Sequence, residues 1–303
     1  MIELTRPGRF MLDAVATEYK PMNGGSDPWS RRGSVHSFPT PHIERFGDKK
    51  SRACLIVNAD DWGRDEPTTD SIHECLKRRS VSSVSAMVFM EDSERAACMA
   101  REAGIDAGLH LNLTTPFSLA GTPGKLMEHQ RHVSQYLRRH RLAQVLFHPG
   151  LTGSFAYLVA AQIEAFRRLY GAEPNRIDGH HHMHLCANVV LGRLLPAGTV
   201  VRRNFSFLRR EKSPANRLYR RAVDAMLARR HRLADFFFSL APVEPAARLQ
   251  EIFSLARQFV VEVETHPIKP AENRFLATGE IFCMLGDLQV ASRYAVADRG
   301  TTQ

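Results

Sequence analysis

Apolar and polar positions change their rhythm several times along the chain. Cys54-Leu55-Ile56-Val57-Asn58-Ala59 is apolar at nearly every position. That pattern predicts a strand buried on both faces of a parallel sheet. Residues 66–79 bring Thr69, Ile72, His73 and Leu76 to helical spacing, and Val81 to Phe89 reads as a second strand. Asp92 or Ser93 caps a helix that stops at Gly104, and Ala107 to Leu113 forms a third strand. Strand, helix, strand, helix, strand implies right-handed βαβ units and an α/β fold.

The middle of the chain is more helical. Amphipathic patterns predict helices over 125–147 and 153–170, the second closed by Gly171. Arg176 to Leu185 reads as a strand, 188–195 as a helix, and Val200-Val201 opens another strand. Helices over 214–231 and 245–257, a strand over 259–265 and a closing helix over 278–295 complete the pattern. Six strands are legible, with room for a seventh. All alternate with helices, so the expectation is an irregular (β/α) barrel in one domain over 51–303. Residues 1–50 are rich in Gly, Ser, Pro and Arg and lack an apolar period. They read as a poorly ordered extension with one short helix near 9–18.

Composition narrows the class. The chain has 303 residues, 44% hydrophobic and 24% charged, which excludes a mainly disordered protein. No run approaches the length of a membrane-spanning helix, and the N-terminal stretch shows no apolar signal region. A cytoplasmic location is therefore expected. Cys54, Cys75, Cys98, Cys186 and Cys283 are scattered without a C-x-x-C pair, as free thiols would be. The net charge is +9, and 201–232 alone holds eleven Arg and Lys against Glu211 and Asp224. A solvated pair of basic helices is the plain reading of that block.

Chemistry in such folds gathers at the C-terminal ends of the strands. The first strand ends in Asp60-Asp61-Trp62-Gly63. Two adjacent carboxylates suit a metal ligand beside a proton acceptor, though a βα-loop cap would use the same letters. His110 alternates with apolar neighbours on the third strand, as a hydrogen-bonded core histidine also would. Asp178-Gly179-His180-His181-His182-Met183-His184 changes the balance. So many imidazoles are expensive to bury without partners, and imidazole is a common metal ligand. In an extended chain Asp178, His180, His182 and His184 share one face, with a spacing of about 6.6 Å over two residues. One ion would then use one or two of them. His266, in Thr265-His266-Pro267, stands at a late strand end where a general acid could sit.

Taken in order, these segments resemble the YdjC-like carbohydrate deacetylases, a family that includes chitooligosaccharide deacetylases and deacetylases of hopanoid biosynthesis. The resemblance rests on Leu55 to Gly63, Val81 to Met87, Gly108 to Leu113, Ile177 to His184 and Thr265-His266-Pro267, and spans about 53–295. It implies a deformed (β/α) barrel of the glycoside hydrolase and deacetylase type, with one divalent metal ion. It further implies Asp61, His110 and His180 as ligands, Asp60 as general base, His266 as general acid, and Asp178 orienting a histidine, with His182 and His184 in support. A His2Asp set suits zinc, whereas members of the family are described with magnesium. The implied reaction removes an acetyl group from an N-acetylated sugar or oligosaccharide, leaving acetate and an amino sugar. Trp62 and Gly179, where the family prefers Phe and Ser, are departures expected to reshape the sugar pocket.

The expected partner is a small N-acetylated sugar, with a homodimer left open and nucleic acid not expected. Two other readings use the same residues. One is another metal-dependent barrel hydrolase, an amidohydrolase or phosphoesterase. The other is a non-catalytic binding protein working through 201–232.

Overall fold

The structure, a computed structural model, describes residues 53–139, 141–208 and 213–296. The expected N-terminal extension and its short helix lie outside them. The strands are β1 (Cys54–Trp62), β2 (Ser83–Ala86), β3 (Ala107–Leu111), β4 (Arg176–Gly179), β5 (Val200–Val201), β6 (Phe236–Ser239) and β7 (Val260–Thr265). The helices are α1 (Glu66–Lys77), α2 (Ser93–Ala103), α3 (Gly124–Arg139), α4 (Thr152–Tyr170), α5 (Ala187–Leu191), α6 (Pro214–Ala228), α7 (Ala246–Leu255), α8 (Pro270–Ala277) and α9 (Glu280–Leu285).

All ladders are parallel, and the sheet order is β5-β4-β3-β2-β1-β7-β6. Read as a circle, that order never reverses. This is barrel topology rather than the doubly wound kind, whose order switches at its centre. The ring is open between β5 and β6, and the chain after β5 closes it. Val201 N–H donates to the Arg232 carbonyl at 2.9 Å, and Ser206 N–H to the Phe237 carbonyl at 2.7 Å. The fold is thus an irregular (β/α) barrel. β1 lies mid-sheet and is buried along almost its whole length, as its unbroken apolar run requires. Among the described residues no helix is long and apolar enough to cross a membrane.

Local chemistry sets the element ends. The Asp65 carboxylate accepts Thr68 N–H at 2.9 Å and starts α1. Gly104 (φ 62°) and Gly171 (φ 70°) end α2 and α4 in the left-handed conformation. β3 stops at Leu111 because the Asn112 side chain takes Thr114 N–H and Thr115 N–H and turns the chain.

Several expectations change. The second strand covers only Ser83–Ala86, and the 125–147 helix ends at Arg139, followed by a 3-10 turn over Arg141–Gln144. The closing helix over 278–295 is not formed. Gly279 (φ 84°) and Gly286 (φ 61°) bound the short α9, and Val290 then bridges Leu55 of β1. Phe236–Ser239, unread in the sequence, is the seventh strand. The strand expected over 176–185 stops at Gly179. His180–Leu185 is a 3-10 turn in which His181 (φ 54°) and His182 (φ 57°) are left-handed. The histidines therefore do not alternate across one extended face.

Candidate metal centre

β1 brings two neighbouring carboxylates into one site by breaking its own regularity. Its register with β2 shifts between Ala59 and Trp62, and Asp61 has φ 70°. In a regular strand Asp60 and Asp61 would face opposite ways; this bulge re-aims the second. A left-handed aspartate is strained, and such strain concentrates at functional sites.

Asp61 meets two histidines. Its Oδ1 lies 2.9 Å from His180 Nδ1 and 3.3 Å from His110 Nε2. His110 comes from β3, and His180 from the first position after β4. The other nitrogen of His110, Nδ1, is 2.7 Å from Asp178 Oδ1, which fixes the ring's orientation. Asp178 also accepts from the Ser85 hydroxyl at 2.5 Å and from Arg202 Nη2 at 2.9 Å. Arg64 Nη1 reaches Asp61 Oδ2 at 3.2 Å from the surface side.

The residues fit a divalent cation. The donor atoms of Asp61, His110 and His180 are buried and lie within 4.8 Å of one another. Bonds of about 2.0–2.2 Å to a shared ion put donors about that far apart or closer. A carboxylate holding His110 from behind is what metal-ligating histidines usually have. Asp60, His110 and Asp178 form a second such group, but Arg202 stands between its carboxylates.

Asp60 is held from two sides. Arg202 Nη1 donates to its Oδ2 at 2.7 Å and Nη2 to its Oδ1 at 2.8 Å. Asn58 Nδ2 adds a bond to Oδ1 at 2.9 Å, and Ser83 fixes Asn58 through a hydroxyl bond of 2.7 Å. Three acceptor positions of the carboxylate are thus filled, leaving one on Oδ2.

Arg202 is the residue sequence reasoning missed. It is 0% exposed, in a block expected to be solvated. Its Nε donates to Glu262 Oε1 at 2.7 Å, its Nη1 also lies 3.4 Å from Glu264 Oε2, and its guanidinium packs 4.9 Å over the Phe237 ring. A fully buried cation survives only when paired this way. The available signal was its place directly after the Val200-Val201 strand.

Burial and charge set the protonation states. Burial opposes charge on His110, but the carboxylates of Asp60, Asp178 and Asp61 prevail and push its pKa up to about 10. Burial likewise opposes charge on Asp61, yet hydrogen bonds from His110 and His180 hold it well below the usual carboxylate range. Burial, with Asp60 nearby, raises Glu264 well above that range, so it carries a proton more readily. Burial pushes His181 and His184 down to about 4, leaving both rings neutral.

The other histidines are not members of the three-donor group, although the His181 ring lies 4.0 Å from that of His180. His184 Nε2 sits 2.9 Å from the Arg202 carbonyl, steadying the chain that carries the guanidinium. His182 stands edge-on to Phe205 and Phe237, with Nε2 3.6 Å from Glu264. His181 reaches Thr114 Oγ1 at 3.0 Å. His266 feels the charges of Asp60 and Asp61, while burial, the larger influence, lowers its pKa. Its backbone N–H is tied to Glu272 at 2.7 Å. Trp62, expected to line a pocket, is instead fully buried, with its indole N–H on the Ala96 carbonyl at 3.1 Å. At Gly179 a Cβ would come within 2.9 Å of His184 N and 3.0 Å of its Nδ1, so this glycine lets His184 close in.

A parallel barrel with an Asp-His-His cluster at the strand ends, backed by a second carboxylate, has the form of a metal-binding barrel protein. The chain belongs to the YdjC-like protein family, whose model matches residues 54–288. It is 33% identical over 137 residues to a chitooligosaccharide deacetylase of Enterobacter sp. (strain 638), covering 43% of this chain and 50% of the relative. It is 28% identical over 263 residues to one of Klebsiella pneumoniae (strain 342), covering 81% and 95%. A carbohydrate deacetylase of Mus musculus is 31% identical over 147 residues, covering 46% and 45%. The chain thus spans about half the length of the Enterobacter and mouse relatives. Among solved structures, a proposed cellobiose-phosphate cleavage protein from Enterococcus faecalis V583 shares the fold. Its TM-score is 0.56 at 20% identity, over 80% of this chain and 97% of that one.

Proposed function

We propose that this protein is a metal-dependent deacetylase that hydrolyses the amide of an N-acetylated sugar or oligosaccharide, releasing acetate and an amino sugar. The observation that carries this is the Asp61 carboxylate shared between His110 and His180, with Asp60 held beside it. The relatives named chitooligosaccharide and carbohydrate deacetylases support the substrate class.

Asp61, His110 and His180 would hold the ion. When bound, a divalent cation there supplies Lewis acidity toward the acetyl carbonyl and an attacking water. Zinc commonly takes such a donor set; magnesium, which prefers oxygen, would depend on added waters.

Asp60 acts as general base through the open position on Oδ2, with Arg202 and Asn58 fixing its plane. Asp178 keeps the His110 ring turned toward Asp61. His266 donates a proton to the leaving amine. Its lowered pKa makes the imidazolium, once formed, a stronger acid. His182 and His184 support the turn and Arg202 rather than the ion. Every one of these residues comes from a single chain. The substrate is a small sugar, and the five free cysteines suit the reducing cytoplasm.

The surroundings of Arg202 do not favour the phosphoesterase reading. The buried cation that could meet a phosphate, Arg202, is already shared among Asp60, Asp178, Glu262 and Glu264. The deciding experiment screens N-acetylated sugars and phosphate esters with metal-stripped and metal-restored protein. Metal-dependent acetate release is expected; phosphate release without acetate would overturn the reading.

A further inference from the structure

Beneath the ring, residues 288–296 run along the start of β1. Ala291 N–H donates to the Leu55 carbonyl at 2.8 Å, and Tyr294 N–H to Asp106 Oδ2 at 2.8 Å. The Tyr294 ring lies against the guanidinium of the buried Arg176, 4.4 Å from carbon to centroid. Its hydroxyl enters the barrel and donates to Glu262 Oε2 at 2.6 Å. The other oxygen of Glu262 accepts from Arg202 Nε at 2.7 Å, and Arg202 forks onto Asp60. An unbroken hydrogen-bonded path therefore joins Tyr294 to Asp60. Tyr294 lies beyond the 54–288 matched by the family.

We propose that Tyr294 is a positioning residue for the reaction: through Glu262 it fixes the Arg202 guanidinium, and through that the Asp60 carboxylate. The inference rests on the reading of Asp60 as general base. The geometry explains why the hydroxyl matters. The two Nη groups of Arg202 are shared among Asp60, Asp178 and Glu264, so Nε on Glu262 is the contact that sets its tilt. Glu262 is 0% exposed, and the structure gives its two oxygens one partner each, Arg202 and Tyr294. Without the hydroxyl, Oε2 would be buried and bare, which favours the neutral acid. A neutral Glu262 surrenders the ionic part of its hold on Arg202. The charged and titratable groups acting on Glu262 are Arg202, Tyr294, Asp178 and Glu264, with Arg176 behind the Tyr294 ring.

Tyr294→Phe removes the hydroxyl and keeps the ring on Arg176. It should lower kcat about five- to tenfold, the worth of one buried hydrogen bond, with KM and bound metal unchanged. The deficit should shrink toward alkaline pH, where Glu262 ionises unaided. Added to Glu262→Gln, it should cause no further loss, because that path is already cut. The Arg202 Nε–H NMR resonance should shift and exchange faster in both single variants, a signal that requires no turnover. Unchanged kcat with an unmoved resonance would overturn the proposal, as would a full additional loss in the Glu262→Gln background. Should Tyr294→Phe fail to fold, Glu262→Gln alone decides: normal kcat and an unmoved Arg202 resonance refute the path. If the unaltered protein releases no acetate while the resonance still moves, the deacetylase reading falls and the positioning path stands.

Discussion

Arg202, directly after β5, grips Asp60 of β1 with both terminal nitrogens, at 2.7 and 2.8 Å. The paired geometry fixes the plane of the carboxylate as well as its position. Asp61, one residue on, is turned by the β1 bulge toward His110 and His180 instead. Adjacent acids thus receive different chemistry from one backbone irregularity.

That division is testable by two near-isosteric changes. Asp61→Asn should weaken metal affinity, because a neutral amide is a poorer donor to a hard cation. Asp60→Asn should retain the metal and lose about 10²–10⁴-fold in kcat, with KM little altered. Bound metal and kcat measured on each variant suffice. Loss of metal from the Asp60 variant alone would exchange the two roles.

His110 links the site to pH. In metal-stripped protein its pKa is raised to about 10 from an ordinary 6.5. The folded state therefore binds the proton more tightly than the unfolded chain. Its stabilisation is complete below about pH 6.5 and is lost as pH rises through about 10. Melting temperatures of the stripped protein should fall across that window. Metal binding must displace this proton, so affinity should rise with pH over the same range. Calorimetry in buffers of different ionisation enthalpy would detect the released proton. A binding heat independent of buffer would contradict the assignment.

Replacing Arg202 by Met leaves Asp60, Asp178, Glu262 and Glu264 without their shared cation. Removing one partner from a buried ionic cluster typically costs about 3–5 kcal/mol. Urea unfolding should show a loss of that size, larger at pH 8 than at pH 5, where protonation relieves the carboxylates. Equal stability of the two proteins would mean that the cluster is not held by its arginine.

The rest of the basic block should behave differently. Arg221 on α6 and Arg229, which caps its C-terminus, are exposed. Reversing both to Glu should leave kcat on a neutral sugar within about twofold, since exposed charges are screened over about 8 Å at physiological salt. A fall comparable to that of the Asp60 variant would bring α6 into the site.

Much of the centre was legible because strand ends are easy to recognise. Asp60 and Asp61 end an apolar run, His110 alternates with apolar neighbours, Asp178 and His180 open a histidine-rich segment, and the structure gathers them. Arg202 was hidden by its neighbours: a charge run reads as solvated, and composition cannot mark the one member that turns inward. The shared face expected of Asp178, His180, His182 and His184 was misjudged because alternation assumes extended backbone, and two left-handed histidines end it. β6 escaped because Phe236, Phe237 and Phe238 give an apolar run too short to separate from a loop. The 278–295 helix failed at Gly279 and Gly286, whose left-handed angles interrupt what apolar spacing suggests.

The seam between β5 and β6 has an electrostatic consequence. Arg202, whose N–H is bonded to the Ile177 carbonyl at 3.2 Å, carries its guanidinium from the β5 edge to carboxylates on β1, β4 and β7. Asp60 and Asp178 also feel the charge of His110, and the guanidinium ties them to Glu262 and Glu264. The side chain that follows the strand at the seam therefore also fixes the Asp60 carboxylate, so a change that frees the β5 edge should be felt at the candidate centre as well.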